Sequence, residues 1–159
     1  MKITTHRESW PIKKIFRIAH SERYTAELVI CEIEEDGIFG YGESYPYKRY
    51  GENCDSVTDA LDKSIAKLKN ITCSGDIELI LPHGAARAAF DLAYWDLQAK
   101  KSGKSIWEIS GMQKPRPICT AYTISIDTID KLAEDVLKHK DKKILKVKLA
   151  GDDLAGERI

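Results

Sequence analysis

The chain has 159 residues, of which 43% are hydrophobic and 31% are charged, with 25 Lys and Arg residues balanced by 25 Asp and Glu residues. This apolar content is enough for a buried core, and the zero net charge argues against a nucleic-acid binder or a polybasic membrane-surface protein. No apolar run resembles a secretion signal or a membrane span, and the four Cys residues lack metal-ligand spacing. We therefore expect a cytoplasmic protein with reduced thiols.

The first third of the chain has the pattern of three β-strands joined by short turns, over residues 2–18, 24–34 and 38–44. Pro11 marks a break or an edge strand, because proline cannot donate a hydrogen bond to a neighbouring strand. Three consecutive strands with a tight second turn predict an antiparallel meander. Gly40 and Gly42 in the third strand indicate either a bulge or the close approach of another backbone.

The middle third is predicted to be helical. A capping-box pair, Ser56 and Asp59, marks the start of one helix, and the Ala-rich segment 84–101 gives the strongest helix signal, with Gly103 placed to end it. A short helix is predicted over 105–110. The predicted apolar stripe of the Ala-rich helix consists of Ala88, Leu92, Trp95 and Ala99.

After the polar, proline-containing stretch 113–117, the helical pattern of the middle third gives way to alternating strand and helix patterns. Its pattern predicts a strand, a helix, a second strand and the start of another helix, over residues 118–126, 128–140, 144–149 and from 152. Two strands joined by a helix form a parallel βαβ unit. A closed (β/α)₈ barrel needs about 250 residues, so residues 117–159 suffice only for its first strands.

Two lysines in the last predicted strand are candidates for chemistry. Lys146 and Lys148 share one face of that strand, because side chains alternate with period two. A lysine beside another cation has a lowered pKa and can act as a base near neutral pH. The alternative is an edge strand protected by charge, which is the commoner use of lysine on exposed strands.

Two other features favour structural roles. The Gly- and Tyr-rich segment 40–52 suits either a binding loop or a tight turn with aromatic packing, and it lacks the glycine spacing of phosphate-binding loops. The four histidines show no paired metal-ligand spacing and favour surface or capping positions. Asp91 and Asp96 lie five residues apart on one helix, which favours separate structural carboxylates.

Taken together and in order, six segments resemble the N-terminal part of the dipeptide epimerases of the enolase superfamily, the L-Ala-D/L-Glu epimerase group. The segments are ESWPIKKIFRIA at 8–19, YTAELVICEIEEDGIFGYGES at 24–44, PYKRYGE at 46–52, LPHGAARAAFDLAYWDL at 81–97, TAYTIS at 120–125 and LKVKLA at 145–150. Muconate-cycloisomerase-type members share the architecture.

The resemblance implies an α+β fold. Residues 1–115 would form an enolase-like capping domain, a three-stranded antiparallel meander followed by helices, and residues 116–159 the first βαβ of an incomplete (β/α) barrel. It implies that Lys148 exchanges the substrate α-proton and that Lys146 lowers the pKa of Lys148 and touches the substrate carboxylate. Thr123 matches a substrate-binding position. Residues 19–24 match a mobile capping loop, in which Arg23 is a candidate that the alignment leaves unassigned.

The family also implies Mg²⁺, bound by carboxylates on later barrel strands, and a second basic lysine. We expect this chain to supply neither, and so to bind no metal and to be inactive alone. The open alternatives are a muconate-cycloisomerase-like member, a non-catalytic assembly module, and an enzyme completed by a complementing chain. The expected substrate of the complete enzyme is a small dipeptide, with no nucleic-acid or membrane partner. Because the strands at 118–126 and 144–149 keep open edges, we also predict association with another copy or a complementing chain.

Overall fold

The computed structural model describes residues 1–18 and 21–149 of the chain. In chain order they form β1 (Lys2–Ile18), β2 (Ser21–Glu35), β3 (Ile38–Ser44), a 3₁₀ turn (Lys48–Tyr50), α1 (Cys54–Leu68), α2 (Gly75–Ile80), α3 (Ala85–Ser102), α4 (Ile106–Ile109), β4 (Tyr122–Ile124), α5 (Ile129–Lys138) and β5 (Leu145–Val147). The predicted helix start at Asp152 lies outside the described residues. The chain divides into two compact units, Met1–Trp10 with Ala26–Pro115 and Pro11–Thr25 with Arg116–Ile159.

The first three strands form the predicted antiparallel meander, in the order β1-β2-β3. The pairing of β2 with β3 runs without interruption from Val29 opposite Ser44 to Glu35 opposite Ile38. The turn between them has two residues, Asp36 and Gly37, both with positive φ, which suits the twist of an antiparallel hairpin. β1 is an edge strand, so Pro11 can lie within it.

The glycines of β3 allow helix α3 to lie directly on the strand. A Cβ atom at Gly42 would lie 2.1 Å from the Ala89 carbonyl oxygen, and one at Gly40 would lie 2.3 Å from the Ala93 carbonyl oxygen. The uninterrupted register of β3 contains no bulge. Of the two explanations that the sequence left open for these glycines, close approach of another backbone is therefore correct.

The core of the first unit lies between the sheet and the helices. Its buried residues are Ile3, Val29, Cys31, Ile33, Val57, Leu61, Leu68, Ile77, Leu81, Ala85, Ala89, Phe90, Ala93 and Leu97. Burial raises the pKa of the Cys31 thiol to about 12, because a thiolate would lose its hydration there. This thiol therefore behaves as a small apolar side chain.

The predicted apolar stripe of α3 is wrong. Leu92 is 51% exposed, and the buried positions are instead Ala85, Ala89, Phe90, Ala93 and Leu97. The close contact with β3 requires small side chains at the interface, so the Ala89 and Ala93 face turns toward the strand. An Ala-rich helix offers several faces of similar hydropathy, and the glycines of the partner strand determine which of them is buried.

The helix ends follow local capping chemistry, with one correction. α1 begins at Cys54, and its capping box joins Asn53 to Ser56 rather than Ser56 to Asp59: the Ser56 N–H donates to Asn53 Oδ1 over 2.9 Å and the Asn53 N–H donates to Ser56 Oγ over 3.0 Å. α3 ends at Gly103, as predicted, where φ is 66°.

The second unit contains a parallel pair of short strands, β4 and β5, with α5 between them in sequence. Each strand has three residues, fewer than the predicted 118–126 and 144–149. Among the described residues, β4 and β5 pair only with each other. The strands are short because no second neighbouring strand in that part of the chain provides the hydrogen bonds that would lengthen them. Ile124 is fully buried.

No helix in the described residues is long and apolar enough to cross a membrane.

Candidate active site

The β4–β5 pair brings the three sequence-predicted site residues to one face. Thr123 lies opposite Lys146 in the parallel register, and Ile124 lies opposite Val147. Because alternate residues of a strand point to opposite faces, Thr123, Lys146 and Lys148 share one face, and Ile124 and Val147 share the other. This arrangement sets two cationic side chains and a hydroxyl beside one another.

The backbone around these residues is fixed by hydrogen bonds. The Lys148 N–H donates to the Ile124 carbonyl over 3.0 Å, and the Tyr122 N–H donates to the Ile144 carbonyl over 2.9 Å. Lys146 is exposed and Lys148 is half-buried. An edge strand protected by lysine also fits this geometry, since β5 pairs only with β4 in the part of the chain that the structure describes.

The arms of the β1–β2 hairpin that belong to the second unit, residues 11–17 and 22–25, approach the carboxyl end of β4. The Ile126 N–H, two residues beyond β4, donates to the Arg17 carbonyl over 3.5 Å. The Arg17 side chain donates from Nε to Glu22 Oε1 over 2.8 Å, and its Nη1 lies 3.7 Å from Asp127 Oδ1. Arg17 therefore connects the returning strand of the hairpin to the segment that follows β4.

Several protonation equilibria are shifted in this cluster. Hydrogen bonds from Tyr24 and Arg17 lower the pKa of Glu22, and the hydrogen bond to Glu22 raises the pKa of Arg17. The Thr128 backbone N–H lowers the pKa of Asp127. All three groups are consequently charged at neutral pH. The sequence did not single out Arg17, Glu22 or Asp127, and Arg23, the candidate in the loop, is half-buried.

The Gly- and Tyr-rich segment 40–52 has a structural role. Tyr47 and Tyr50 meet edge to face, with ring centroids 5.8 Å apart, and Gly51 has φ 74°. Glu52 Oε1 accepts a hydrogen bond from the Ala85 N–H over 2.7 Å and so satisfies a free donor at the start of α3. This geometry favours the interpretation as a turn with aromatic packing.

The two aspartates of α3 have separate environments, as predicted. Asp96 Oδ2 accepts hydrogen bonds from the Tyr41 N–H over 2.8 Å and from Lys100 Nζ over 2.6 Å. Asp91 lies in a pocket of about 300 Å³ that it lines with Arg87 and Trp95, among others. Burial raises the pKa of Asp91, and a hydrogen bond that its carboxylate accepts from Trp95 partly opposes that shift.

Residues 1–18 and 21–149 contain no group of three His, Cys, Asp or Glu side chains placed to hold a metal ion. His6 lies 3.2 Å from Glu8 at the surface, and His139 is the C-cap residue of α5. These two positions agree with the predicted surface and capping roles, and His20 lies outside the described residues.

Comparison with known proteins connects this geometry to a family. The family model described as the N-terminal domain of mandelate racemase and muconate lactonizing enzyme matches residues 1–111. The L-Ala-D/L-Glu epimerase of Escherichia coli is 39% identical over 154 residues, which cover 96% of this chain and 48% of that enzyme. The chain thus spans about half the length of the curated relatives it matches.

Solved structures give the same likeness in three dimensions. An enolase family member from Agrobacterium tumefaciens, with homology to dipeptide epimerases and solved with sodium and L-Ala-L-Glu, superimposes with a TM-score of 0.90 at 32% identity, covering 97% of this chain and 47% of that one. The dipeptide epimerase of Methylococcus capsulatus, solved with Mg and L-Arg-D-Lys, gives a TM-score of 0.77 at 28% identity, covering 95% and 46%.

Proposed function

The chain belongs to the mandelate racemase and muconate lactonizing enzyme family of the enolase superfamily, and from that premise we propose that it forms the N-terminal part of a dipeptide epimerase. The reaction is a proton exchange at an α-carbon next to a carbonyl or carboxylate group. The observation that carries the proposal is the shared face of Thr123, Lys146 and Lys148 on the β4–β5 pair. Barrels of this kind place catalysis at the carboxyl ends of their strands.

Lys148 is the proposed base. As a neutral amine its Nζ would take the α-proton, the C–H bond would break, and the electron pair would move onto the carboxylate to give an enediolate. Lys146 lies on the same face, and its positive charge suits a substrate carboxylate. Thr123 lies opposite Lys146 and can orient the substrate through its hydroxyl.

Return of the proton on the opposite face of the α-carbon requires a second base. In the complete enzyme, Mg²⁺ would supply the stabilisation of the enediolate. The described residues provide no fitting set of ligands for that ion. The Mg-bound relative from Methylococcus capsulatus supports Mg²⁺ for the complete enzyme. We therefore propose that this chain contributes the first base and part of the substrate site, and that it does not turn over alone.

The second unit also supports association. Its exposed apolar side chains are Ile118, Ile129, Leu137, Ile144, Val147 and Leu149, and Ile118 is 81% exposed. Since β4 and β5 have no further neighbouring strand among residues 21–149, we propose that such a surface favours pairing with another copy or with a complementing chain. Association stays a prediction, and the solution mass at micromolar concentration tests it, because a clean monomer would contradict it.

The test of function is hydrogen–deuterium exchange at the α-carbons of L-Ala-L-Glu in D₂O with Mg²⁺, followed by NMR. We expect no exchange above background from this chain alone, and exchange when a polypeptide carrying the remaining barrel strands is supplied. In that complete system Lys148→Met should reduce the rate about 10²- to 10⁴-fold. Lys143→Met, an exposed lysine outside the strands, is the matched control and should leave the rate unchanged.

The outcomes separate the alternatives. Turnover by this chain alone would contradict the expectation of inactivity. A complete system that exchanges no dipeptide but converts a muconate-type substrate would favour the muconate-lactonizing alternative. If neither substrate reacts, the non-catalytic assembly module is the better account.

A further inference from the structure

Helix α5 carries a buried negative charge. Asp135 is 8% exposed, and it is the one charged residue that is buried among the described residues. A buried carboxylate is costly unless it is paired and hydrogen-bonded. Its position on a short helix of the second unit therefore requires specific partners.

One partner comes from the hairpin. Lys14 Nζ, on β1, lies 2.9 Å from Asp135 Oδ2, although Lys14 itself is half-exposed. The hydrogen bond to Asp135 raises the pKa of Lys14, which keeps that amine charged. A residue far away in sequence thus neutralises the buried carboxylate.

The other partner closes the C-terminal end of the same helix. His139 Nδ1 lies 2.9 Å from the Asp135 carbonyl oxygen and 3.4 Å from Asp135 Oδ1. Since a carbonyl oxygen can only accept, Nδ1 carries the proton in this contact. The His139 ring stacks on Tyr122 of β4, with centroids 3.9 Å apart. Asp135 therefore contacts the hairpin on one side and a side chain packed on β4 on the other.

Three residues beyond Lys14, Arg17 makes the second attachment of the hairpin. Its carbonyl accepts the Ile126 N–H, and its guanidinium faces Asp127, which also lies 3.7 Å from Lys131 Nζ. The two attachments together hold β1 residues 14–17 beside β4 and the segment that follows it. This part of β1 is thereby kept next to the carboxyl end of the strand that carries Thr123.

We propose that Asp135 is a positioning residue, which fixes residues 11–17 of β1 beside the carboxyl end of β4 by pairing with Lys14. The inference rests on the proposed function, because that strand end is where the substrate would bind. The test of this inference does not require turnover, because the protection of residues 11–17 from amide exchange can be measured in this chain alone.

The test is amide hydrogen exchange of the whole chain, read at residues 11–17 and, as an internal reference, at α3. Lys14→Met and Asp135→Asn should each increase exchange at 11–17 about five- to tenfold while leaving α3 unchanged. The double variant should add little to either single one, because both remove the same interaction. Lys14→Arg, which keeps the charge, should restore most of the protection.

Glu134→Gln is the matched control, since Glu134 is the exposed neighbour of Asp135 on the same helix. It should leave exchange at 11–17 unchanged. If Asp135→Asn accelerates exchange only within α5 and Lys14→Met leaves residues 11–17 at the wild-type rate, Asp135 merely stabilises its helix and the proposal is wrong. If Asp135→Asn unfolds the second unit, the amide exchange rates of the Lys14→Met and Lys14→Arg variants at residues 11–17 decide whether the proposal holds. A complete system, with the remaining barrel strands supplied, that epimerises no dipeptide would contradict the proposed function without affecting this result.

Discussion

In the unit formed by residues 1–10 and 26–115, fourteen buried apolar side chains make one cluster. In the other unit, Ile124 is the one buried apolar side chain among residues 11–17, 22–25 and 116–149. The second unit instead contains a buried carboxylate, Asp135, and ion pairs between the hairpin and the βαβ segment. The first unit is therefore built around a fully buried apolar core, whereas the second combines half-buried apolar side chains with a buried carboxylate and its ion pairs.

This difference has consequences for stability and for function. Burying one large apolar side chain contributes about 1.5–3 kcal/mol, while an exposed ion pair contributes about 0–1 kcal/mol. The first unit is therefore expected to be the stable part of the chain. The second unit holds the candidate site residues on a small parallel pair whose apolar surface remains exposed, so its structure is expected to depend on what covers it.

The largest effect should come from the core of the first unit. Phe90 is fully buried, and Phe90→Ala should lower the free energy of unfolding by about 3–5 kcal/mol, because it removes apolar contacts and leaves a cavity. Urea denaturation followed by circular dichroism measures the change. Leu92→Ala, two residues away but half-exposed, is the control and should cost far less. Equal effects would mean that the first unit does not depend on this core.

A smaller effect is expected where α3 lies on β3. Gly42→Ala would place a methyl group 2.1 Å from the Ala89 carbonyl oxygen, so the helix must move away from the strand. We expect a loss of about 1–3 kcal/mol in the same denaturation experiment. The control is Gly75→Ala, where the nearest atom is Cys73 Sγ at 3.6 Å. A Gly42→Ala protein as stable as the Gly75→Ala protein would contradict the close contact.

Much of the first unit could be predicted because its signals are local. Strand alternation, the turn at Asp36 and Gly37 and the helix end at Gly103 depend on neighbouring residues, and the structure has all three. The buried face of α3 depends on a partner far away in sequence. That face could have been found by matching the two glycines of β3 with the alanines spaced four apart in α3.

In the candidate site, too, some features follow from local sequence and others depend on residues far away in the chain. The shared face of Lys146 and Lys148 follows from strand periodicity alone, whereas their pairing with Thr123 depends on the register of β4 with β5. The hairpin contacts of Lys14 and Arg17 could not be predicted, because they join residues more than a hundred positions apart. The local sequence does not indicate that Asp135 is buried, because its burial depends on a pairing with Lys14 that exists only in the folded chain.

The smallest expected effect concerns salt. The contacts of Arg17 with Glu22 and Asp127 are partly exposed, so raising NaCl from about 0.01 M to about 1 M should screen them, as the screening length falls from about 30 Å to about 3 Å. The loss should be below about 1 kcal/mol, seen as a two- to threefold faster amide exchange at residues 11–17. Exchange at β3 and α3, which depends on apolar burial, should not accelerate. If both units respond equally, or if only the first responds, polar contacts do not distinguish the second unit and the comparison fails.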